Sequence, residues 1–406
     1  VVAFLQKLSS IRVLDPACGS GNFLYVAMEH MKWIEGEVLN MLHDLGDTRL
    51  STIRIDPHQF LGIEVNPRAA AIADLVLWIG FLQCQLRTFQ PDQITEPLLE
   101  NYHNIDCRDA VLAWDRVEEV KDDQGKPVTR WDGRTMKKHP VTGEDVPDDT
   151  ARVPVLKYIN PRKAEWPDAE FIVGNPPFIG NKRMRFALGD GYAETLRKCW
   201  SDVSGSADFV MYWWHKAGKL ASDGKIRRFG LVTTNSITQS FNRQVIDSFL
   251  HGSAACSLVF AIPDHPWIDS SDGAAVRIAM TVGQSGKTQG RVEAPVEDDN
   301  DARSDKQSAR IASVGIIAAN LRVGAALSNC VNLESNRGLA FQGPIPVGEG
   351  FRIEANSLPE FGLHKSRLPP VVHRYIIGRD LMQGMQERYI IDFFGLTEEL
   401  HFPTKR

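Results

Sequence analysis

An amide side chain follows an apolar run at a point where two prolines hold it in place. The run Phe171–Gly174 is followed by Asn175, Pro176, Pro177 and Phe178. A planar amino group on an aromatic ring is a poor nucleophile because its lone pair is delocalised into the ring. The side-chain oxygen of Asn175 and the carbonyl of Pro176 can accept its two hydrogens, which favours a pyramidal nitrogen with its lone pair aimed at an electrophile. The prolines fix that carbonyl at little entropic cost, and Phe178 offers a face on which the ring can stack.

These four residues predict a catalytic site that transfers a group to an aromatic amine. An ordinary alternative exists, because Asn-Pro-Pro is also typical of a turn that ends a strand. The catalytic interpretation becomes much stronger if a cofactor loop lies at the matching place in the same sheet.

A second polar loop, "DPACGSGNF", lies between a predicted strand and a predicted helix. Its glycines let the backbone approach a ligand closely, and amides at a helix N-terminus can meet polar groups of that ligand. An acid precedes the glycines, and no third glycine is present to receive a pyrophosphate. Asp15 therefore suits a ligand that bears an ammonium group, as S-adenosylmethionine does, better than a dinucleotide. The candidate cofactor-binding residues of this loop are Asp15, Pro16, Ala17, Cys18, Gly19, Ser20, Gly21 and Phe23.

Two further acids follow the next two predicted strands. Glu64, beside Val65, ends the second strand, where a carboxylate commonly binds a ribose diol; the alternative is a charge at a helix N-terminus. Asp109, beside Ala110, follows the third strand and could accept a hydrogen bond from the adenine amino group of a cofactor. An ordinary turn aspartate explains Asp109 nearly as well, and Asp106 is the competing choice for the cofactor contact.

The elements that must position these residues alternate between apolar runs and helical patterns. This alternation predicts an α/β protein with a doubly wound, mostly parallel sheet of seven strands. In such a sheet the first and fourth strands are neighbours where the strand order switches, so their carboxyl ends open into one crevice. Asp15 and Asn175 should therefore lie close together. The last two strands, "CSLVFAI" and "AVRIAMTVG", are expected to form a hairpin at a sheet edge.

Composition along the chain predicts three parts. Residues 1–285 carry the domain of the sheet, interrupted at 118–154 by a polar insertion loop that contains Pro and Gly. Residues 286–335 are expected to be a linker with connecting elements. Residues 336–406 have short apolar runs and many turn residues, which predicts part of a second domain. A chain that opens on Val1 so close to its first strand is expected to be a fragment of a longer protein.

Overall composition excludes several classes of protein. With 406 residues, 43% hydrophobic and 24% charged, the chain can bury a full core and a second domain. The six cysteines include no CxxC pair, which argues against a zinc site and against a disulfide framework, and no metal is expected. We find neither an uninterrupted apolar run long enough for a membrane span nor a signal core, so a cytoplasmic protein without membrane contact is expected.

The net charge of −5 hides a basic stretch beside the Asn-Pro-Pro-Phe sequence. From Ile179 to Arg228 there are ten Lys and Arg against five acids, a local excess of five positive charges. Such a run taken alone is more often a solvated face. Its position next to the candidate site favours nucleic acid as the partner, with Lys182, Arg183 and Arg185 as the candidate DNA-binding residues.

The order of these motifs resembles a known family. "DPACGSGNF", "GIEVN", the Asp109-Ala110 pair and "GNPPF" together resemble the gamma-type adenine-N6 DNA methyltransferases. They are most similar to the methyltransferase part of type IIL, MmeI-like, restriction-modification enzymes, with "GLVTTNSI" and "DHPWIDSSDGAAVRIAMTV" as further similarities. The resemblance covers residues 10–285 well and 336–406 loosely.

The resemblance implies a class I fold that binds S-adenosylmethionine, and methyl transfer to a flipped adenine of double-stranded DNA. It implies that Asn175 and Phe178 hold the adenine and that Asp15, Glu64 and Asp109 bind the cofactor. It further implies a DNA target-recognition role for residues 336–406, and the full-length chain could also contain an endonuclease domain.

Other functions stay open at this point. A similar motif with Tyr in place of Phe178 serves methyltransferases that act on protein glutamine or on the amino group of RNA guanine, although these rarely need such an insertion or a C-terminal recognition domain. A non-catalytic DNA-binding module is disfavoured because Asn175, both prolines and Phe178 are all present. The DNA target sequence does not follow from these residues.

Overall fold

A computed structural model describes residues 1–46, 54–88, 104–133, 135–139, 143–251, 256–267, 276–295, 309–324, 333–339, 343, 346, 349–384 and 386–393. Its α-helices are α1 Val2–Ser10, α2 Asn22–Asp44, α3 Pro67–Thr88, α4 Asn181–Leu188, α5 Asp190–Cys199, α6 Val210–Ser222, α7 Ser240–Leu250 and α8 Gly378–Gln383. Its strands are β1 Val13–Asp15, β2 Phe60–Glu64, β3 Ile105–Cys107, β4 Leu112–Ala113, β5 Arg116–Glu119, β6 Thr129–Trp131, β7 Met136–Lys138, β8 Asp145–Pro147, β9 Arg152–Pro154, β10 Leu156–Ile159, β11 Arg162–Lys163, β12 Phe171–Gly174, β13 Arg228–Thr234, β14 Cys256–Pro266, β15 Arg277–Ser285, β16 Gly290–Pro295, β17 Ala309–Gly315, β18 Arg352–Glu354, β19 Val372–Arg374 and β20 Arg388–Ile391.

The main sheet has the order β17-β16-β14-β15-β13-β12-β1-β2-β3. The run from β3 to β13 is parallel, and β15 lies antiparallel between β13 and β14. β16 runs parallel to β14, and β17 runs antiparallel to β16. This mixed, doubly wound sheet confirms the expected α/β class, with the first and fourth predicted strands, β1 and β12, as neighbours.

The count of seven strands is corrected, because the described residues of this sheet form nine. β16 and β17 continue the sheet beyond β14, so β14 and β15 do not form its edge, and both added strands fall where a linker was expected. Strand β16 was not predicted because only part of the strand is apolar. Val292 is buried, whereas Arg291 and Glu293 on either side form an ion pair at 3.0 Å. A charged segment can therefore still supply a strand at a sheet edge.

Alternation along the central strands puts helices on both faces of the sheet. Val13 of β1 and Phe60 of β2 pack in a core cluster with residues of α1, α2 and α3. Leu14, Leu61 and Ile63 point to the other face, into the cluster that contains residues of α5, α6 and α7. The short strands β1 and β2 are thus buried from both sides, which fixes where their polar ends lie.

The insertion is an antiparallel β-ribbon and not the loop that its composition predicted. β5 pairs with β10, β6 with β9 and β7 with β8, while β4 and β11 pair at its base. The described residues between 112 and 163 are called the β-arm. Its strands have two to four residues and are mostly exposed. Backbone hydrogen bonds therefore hold the strands together, and the sequence lacks the alternation of apolar residues that predicts a strand.

The chain divides into two compact units, Val1–Leu327 and Ser328–Arg406. The first unit therefore extends past residue 285 and includes β16 and β17. In the second unit, β18, β20 and β19 form an antiparallel sheet over a small core of Ile353, Leu358, Val372 and Tyr389. The assignment of residues 336–406 to target recognition stays a prediction.

One described helix segment, Pro67–Arg87 of α3, is long and apolar enough to cross a membrane by length and composition alone. It packs on α2, β2 and β3, with Ala73 and Leu77 buried in the core. Because core helices of soluble proteins meet the same criterion, this helix says little about a membrane.

Candidate active site

A cavity of about 630 Å³ lies at the carboxyl ends of β1, β2 and β12. The register explains why three segments distant in sequence meet here: Leu14 of β1 lies opposite Leu61 on one side and Ile172 on the other. The predicted residues on the cavity wall are Pro16, Ala17, Gly19, Glu64, Val65, Asp109, Ala110, Asn175 and Pro177. The fold thus brings the glycine loop and the Asn-Pro-Pro segment to one crevice at the switch point of the sheet.

Asp15 ends β1 and directly precedes Pro16 of the cavity wall, with only 1% of its surface exposed. Its Oδ1 accepts a hydrogen bond from the backbone N–H of Ala17 at 3.0 Å, whereas Oδ2 is buried without a partner among the described residues. Burial raises the pKa of Asp15 to about 7, the Ala17 N–H opposes this rise, and the charge of Glu64 adds to it. A buried acceptor without a partner is costly, so this position favours a ligand with a cationic donor.

Glu64 ties the glycine loop to the end of β2 and keeps free acceptor sites. Its Oε2 accepts from the backbone N–H of Gly19 and its Oε1 accepts from that of Asn66, each at 2.9 Å. A carboxylate offers about four acceptor sites, so each oxygen keeps one. Two adjacent hydroxyl groups, such as those of a ribose, could use both.

Asn175 follows β12 directly and supplies a second unpartnered acceptor. Its Oδ1 is buried and has no hydrogen-bond partner among the described residues. Pro176 is buried, and Pro177 lies on the cavity wall. Phe178 is half-buried, does not line the cavity, and packs against the adjoining core cluster. The amide oxygen is thus held at the cavity with its acceptor capacity unused.

Asp208 fixes the segment that continues from these residues. Its Oδ1 accepts from the backbone N–H of Asn181 at 2.9 Å, and its Oδ2 accepts from the Ser236 hydroxyl and the Asn242 side-chain amide, both at 2.7 Å. One carboxylate therefore joins the start of α4 to the residues that follow β13 and to α7. The sequence analysis did not select this aspartate, since a single acid in "SADFV" carries no distinctive pattern.

Four aromatic side chains that the sequence analysis also missed complete the cavity wall: Trp114, Tyr192, Phe209 and Trp213. The indole N–H of Trp213 donates to the carbonyl of Pro16 at 2.9 Å and so holds the glycine loop from the side of α6. Phe209 packs edge-to-face on Trp213 at 4.9 Å. The helical apolar pattern of "FVMYWWHKAG" is explained equally well by core packing, and only the concentration of aromatics close to the Asn-Pro-Pro segment could have indicated a site.

Several predicted loop residues do not line the cavity, namely Asp15, Cys18, Ser20, Gly21 and Phe23. Cys18 is buried, and burial together with the charge of Asp15 raises the pKa of its thiol well above the ordinary value. Gly21 has a φ of 84° and is the N-cap of α2, a conformation that favours glycine. These residues shape the loop, while Pro16, Ala17 and Gly19 present its backbone to the cavity.

The structure separates the two competing aspartates. Asp106 lies within β3, is exposed, and forms an ion pair with Arg108 at 3.0 Å. Asp109 lies on the cavity wall, where its Oδ2 accepts a hydrogen bond from the Tyr192 hydroxyl at 2.7 Å. Asp109 is therefore the candidate for a contact with a ligand.

The candidate DNA-binding cations lie on α4, which begins directly after the Asn175–Gly180 segment. Lys182, Arg183 and Arg185 are all exposed, whereas Met184 is fully buried and anchors the helix. Arg185 forms an ion pair with Glu194 at 3.6 Å. The helix thus presents three cations to solvent next to the cavity.

The strand order, together with a cavity at the ends of β1, β2 and β12, defines a fold of the class I methyltransferase type. Residues 1–293 match the family described as "MmeI, DNA-methyltransferase domain". Since the match spans most of the chain, this protein belongs to that family.

Relatives and solved structures agree with this membership. DNA methyltransferase A of Bacillus subtilis (strain 168) is 24% identical over 281 residues, which are 69% of this chain and 27% of that protein. A putative type II restriction enzyme and methyltransferase of Methanocaldococcus jannaschii is 28% identical over 113 residues, 28% of this chain and 9% of that protein. The structure of the type IIL restriction-modification enzyme MmeI in complex with DNA matches 98% of this chain and 47% of its own, with a TM-score of 0.56 and 21% identity. The chain spans less than half the length of each of these relatives.

Proposed function

We propose that this chain is the methyltransferase part of a restriction-modification enzyme and transfers a methyl group from S-adenosylmethionine to the N6 amino group of an adenine in double-stranded DNA. One observation carries the proposal. Two buried oxygens that have no hydrogen-bond partner among the described residues, Asp15 Oδ2 and Asn175 Oδ1, belong to the ends of neighbouring strands at one cavity. A cationic ligand and an aromatic amine are the two groups that such acceptors suit, and membership of the family supports DNA as the source of the amine.

The donor set at the cavity fits S-adenosylmethionine. Asp15 would accept from the ammonium group, Glu64 would accept from the two ribose hydroxyls, and Asp109 would accept from the adenine amino group. When bound, this cofactor supplies a methyl group on a positively charged sulfur, which is an electrophile that needs no metal. The protein's own task is to hold it while Trp213 keeps the glycine loop in place through Pro16.

The target amine is activated by the residues that follow β12. Extrusion of a base from the duplex costs a few kcal/mol, which stacking on Phe178 would partly offset. Asn175 Oδ1 and the Pro176 carbonyl would then accept the two amino hydrogens. As the nitrogen would take the methyl group, with the bond from that carbon to sulfur breaking, it would become positively charged, so both hydrogen bonds would strengthen at that moment. The nitrogen would then release one proton to water.

The surroundings of the site suit a duplex substrate. Lys182, Arg183 and Arg185 would bind phosphates beside the extruded base, because exposed cations position DNA without reading its sequence. Residues 336–406 would contribute to target recognition, and a cytoplasmic location would give access to DNA. An endonuclease domain in the same full-length chain is also part of the proposal.

The test offers one methyl-labelled cofactor to three substrates in parallel. Duplex DNA, structured RNA and a mixed protein pool are incubated with the chain and S-adenosylmethionine carrying a tritiated methyl group, with Asn175→Ala as the control. We expect label in DNA alone, and N6-methyladenine after digestion to nucleosides. Label in RNA guanine or protein glutamine would overturn the choice of substrate, and N4-methylcytosine or 5-methylcytosine would overturn the choice of base.

A further inference from the structure

Asp109 has only part of its acceptor capacity left. Its Oδ1 accepts from the backbone N–H groups of Val111 at 2.7 Å and Leu112 at 2.9 Å, and its Oδ2 accepts from the Tyr192 hydroxyl at 2.7 Å. A carboxylate offers about four acceptor sites, so three are occupied within the described structure. The remaining site belongs to Oδ2, and the direction in which it points depends on where Tyr192 holds that oxygen.

Tyr192 is suited to hold this carboxylate in one orientation. It is 8% exposed, and burial together with the charge of Asp109 raises the pKa of its hydroxyl far above the ordinary value, so the hydroxyl stays protonated and donates. Tyr192 lines both the 630 Å³ cavity and a second cavity of about 430 Å³ between the β-arm and α4–α5. Phe209, which directly precedes α6, meets the Tyr192 ring edge-to-face at 6.2 Å, so part of the support of the ring comes from outside the β-arm.

The β-arm supplies two further ring contacts to Tyr192, one of them from Trp114 at 6.4 Å. Tyr158 of β10 meets the Tyr192 ring edge-to-face at 5.9 Å, and Trp114 meets Tyr158 at 4.9 Å. In the first turn of α5, a Cβ on Gly191 would lie 2.1 Å from the carbonyl oxygen of Leu156. The arm backbone therefore rests directly on the turn that carries Tyr192, and only glycine permits this approach.

One ion pair adds to this docking. Arg130 of β6 lies 3.3 Å from Asp190, the first residue of α5, and both side chains are partly exposed. Partly exposed ion pairs contribute little to stability. The close approach at Gly191 and the aromatic contacts therefore carry the docking of the arm on α5.

We propose that the β-arm is a brace for the cofactor pocket, and that Tyr192 is a positioning residue which orients Asp109 so that its last acceptor site takes the 6-amino group of the cofactor adenine. This inference rests on the proposed function, since it assumes an adenine-containing cofactor in the cavity. It assigns the insertion a role in cofactor selection. A surface insertion without this role would leave cofactor affinity unchanged when its contact with α5 is disturbed.

The sharpest test removes a single oxygen atom. Tyr192→Phe keeps the ring and its packing and deletes only the hydroxyl that holds Asp109. Calorimetry compares two probes, S-adenosylhomocysteine and S-inosylhomocysteine, in which an oxo group replaces the 6-amino group. The parent should prefer the adenosine compound. In Tyr192→Phe its affinity for that compound should fall about tenfold, the order expected for a hydrogen bond to a charged group, while affinity for the inosine compound should not fall.

A double-mutant comparison separates positioning from general packing. If Tyr192 acts through Asp109, then Tyr192→Phe should cost nothing further in an Asp109→Ala background. Equal weakening of both probes, or additive losses in the double variant, would show a structural role only and overturn the inference. A parent that binds neither probe would instead overturn the proposed function itself.

The arm is tested by one methyl group. The added methyl group of Gly191→Ala must displace the Leu156 carbonyl. The preference of this variant for the adenosine probe should therefore fall about as far as that of the Tyr192→Phe variant. The matched control is Gly36→Ala in α2, where an added methyl group meets nothing within 4 Å and the preference should persist. Unchanged preference in a folded Gly191→Ala variant would overturn the role of the arm. If that variant does not fold, Tyr158→Leu tests the other contact of the arm, its packing on the Tyr192 ring.

Discussion

The ends of β1 and β12 carry two chemically different hydrogen-bond acceptors, a carboxylate and an amide. Each end carries a buried oxygen that lacks a hydrogen-bond partner within the described part of the chain, Oδ2 of Asp15 at the end of β1 and Oδ1 of Asn175 directly after β12. Asp15 is ionisable, and burial raises its pKa to about 7. Asn175 is neutral at every pH that the fold tolerates. A carboxylate suits a ligand group that is already charged when it binds, whereas an amide suits an amine that becomes charged only during the reaction.

The largest effect should follow from the neutral acceptor. Asn175→Ala removes a hydrogen bond that strengthens as the target nitrogen becomes charged, so the rate of methyl transfer should fall about 100-fold or more, equivalent to about 3 kcal/mol. Cofactor affinity by calorimetry should stay within about twofold of the parent value. Weak cofactor binding in this variant would contradict the proposal that Asn175 acts on the target amine and Asp15 on the cofactor.

Changing the charged acceptor, Asp15, should weaken cofactor binding. Asp15→Asn is nearly isosteric and should weaken S-adenosylmethionine binding about 30-fold at pH 8, since a buried charge loses its partner. In the parent, affinity should also fall as the pH drops below about 7, because protonated Asp15 no longer attracts the ammonium group. Calorimetry between pH 6 and pH 8 checks both points, and a parallel pH dependence in the Asn variant would assign the titration to another group.

The sequence predicted the two strand ends because short-range rules determine them. Apolar runs that stop at a single polar residue placed Asp15, Glu64 and Asn175 at strand ends, and the parallel order brought them to one edge. Trp213 and Tyr192 escaped prediction because their roles depend on contacts with Pro16 and Asp109, which lie 197 and 83 residues away along the chain. The β-arm escaped because exposed backbone pairing requires no apolar period.

A smaller loss of transfer rate should follow from changing Asp208, which holds the segment that continues from Asn175. Asp208→Asn would disturb the bonds to Asn181, Ser236 and Asn242, so the transfer rate should fall about tenfold, or about 1.4 kcal/mol, through looser placement of the loop. The KM for cofactor should not change. The control is Asp223→Asn at the end of α6, whose partner is Lys219 at 2.9 Å. An unchanged rate in Asp208→Asn would remove Asp208 from the positioning of the site.

The same substitution of Asp15 that weakens binding should stabilise the fold. The pKa of Asp15 is about 7 in the folded chain against an ordinary value of 3.8. Between these values the folded chain keeps a proton that the unfolded chain has released, so stability falls as pH rises and the whole cost is present above about pH 7. Asp15→Asn removes this cost. Without cofactor, its gain in Tm by calorimetry should therefore be larger at pH 8 than at pH 5, and an equal gain at both would contradict the raised pKa.

The smallest effect on chemistry is expected from the cations of α4. Changing Lys182, Arg183 and Arg185 to Gln should leave the transfer rate at saturating DNA unchanged, because none of them lines the cavity. Each cation that binds a phosphate contributes about one unit to the slope of log affinity against log salt. The triple variant should therefore lose about three units of slope in fluorescence titrations, and it should lose affinity equally for unrelated duplexes, since phosphate contacts carry no sequence information.

Charge removal by itself would also weaken DNA binding, so the control must remove the same charge elsewhere. Lys7, Lys287 and Arg322 are exposed cations on other parts of the first unit, and their triple change to Gln alters net charge by the same amount. The loss of long-range attraction lowers affinity in both variants, but only the loss of direct phosphate contacts reduces counterion release and changes the slope. A slope that falls equally in both would place the DNA path away from α4, and a loss confined to some duplexes would mean that α4 enters a groove and reads bases.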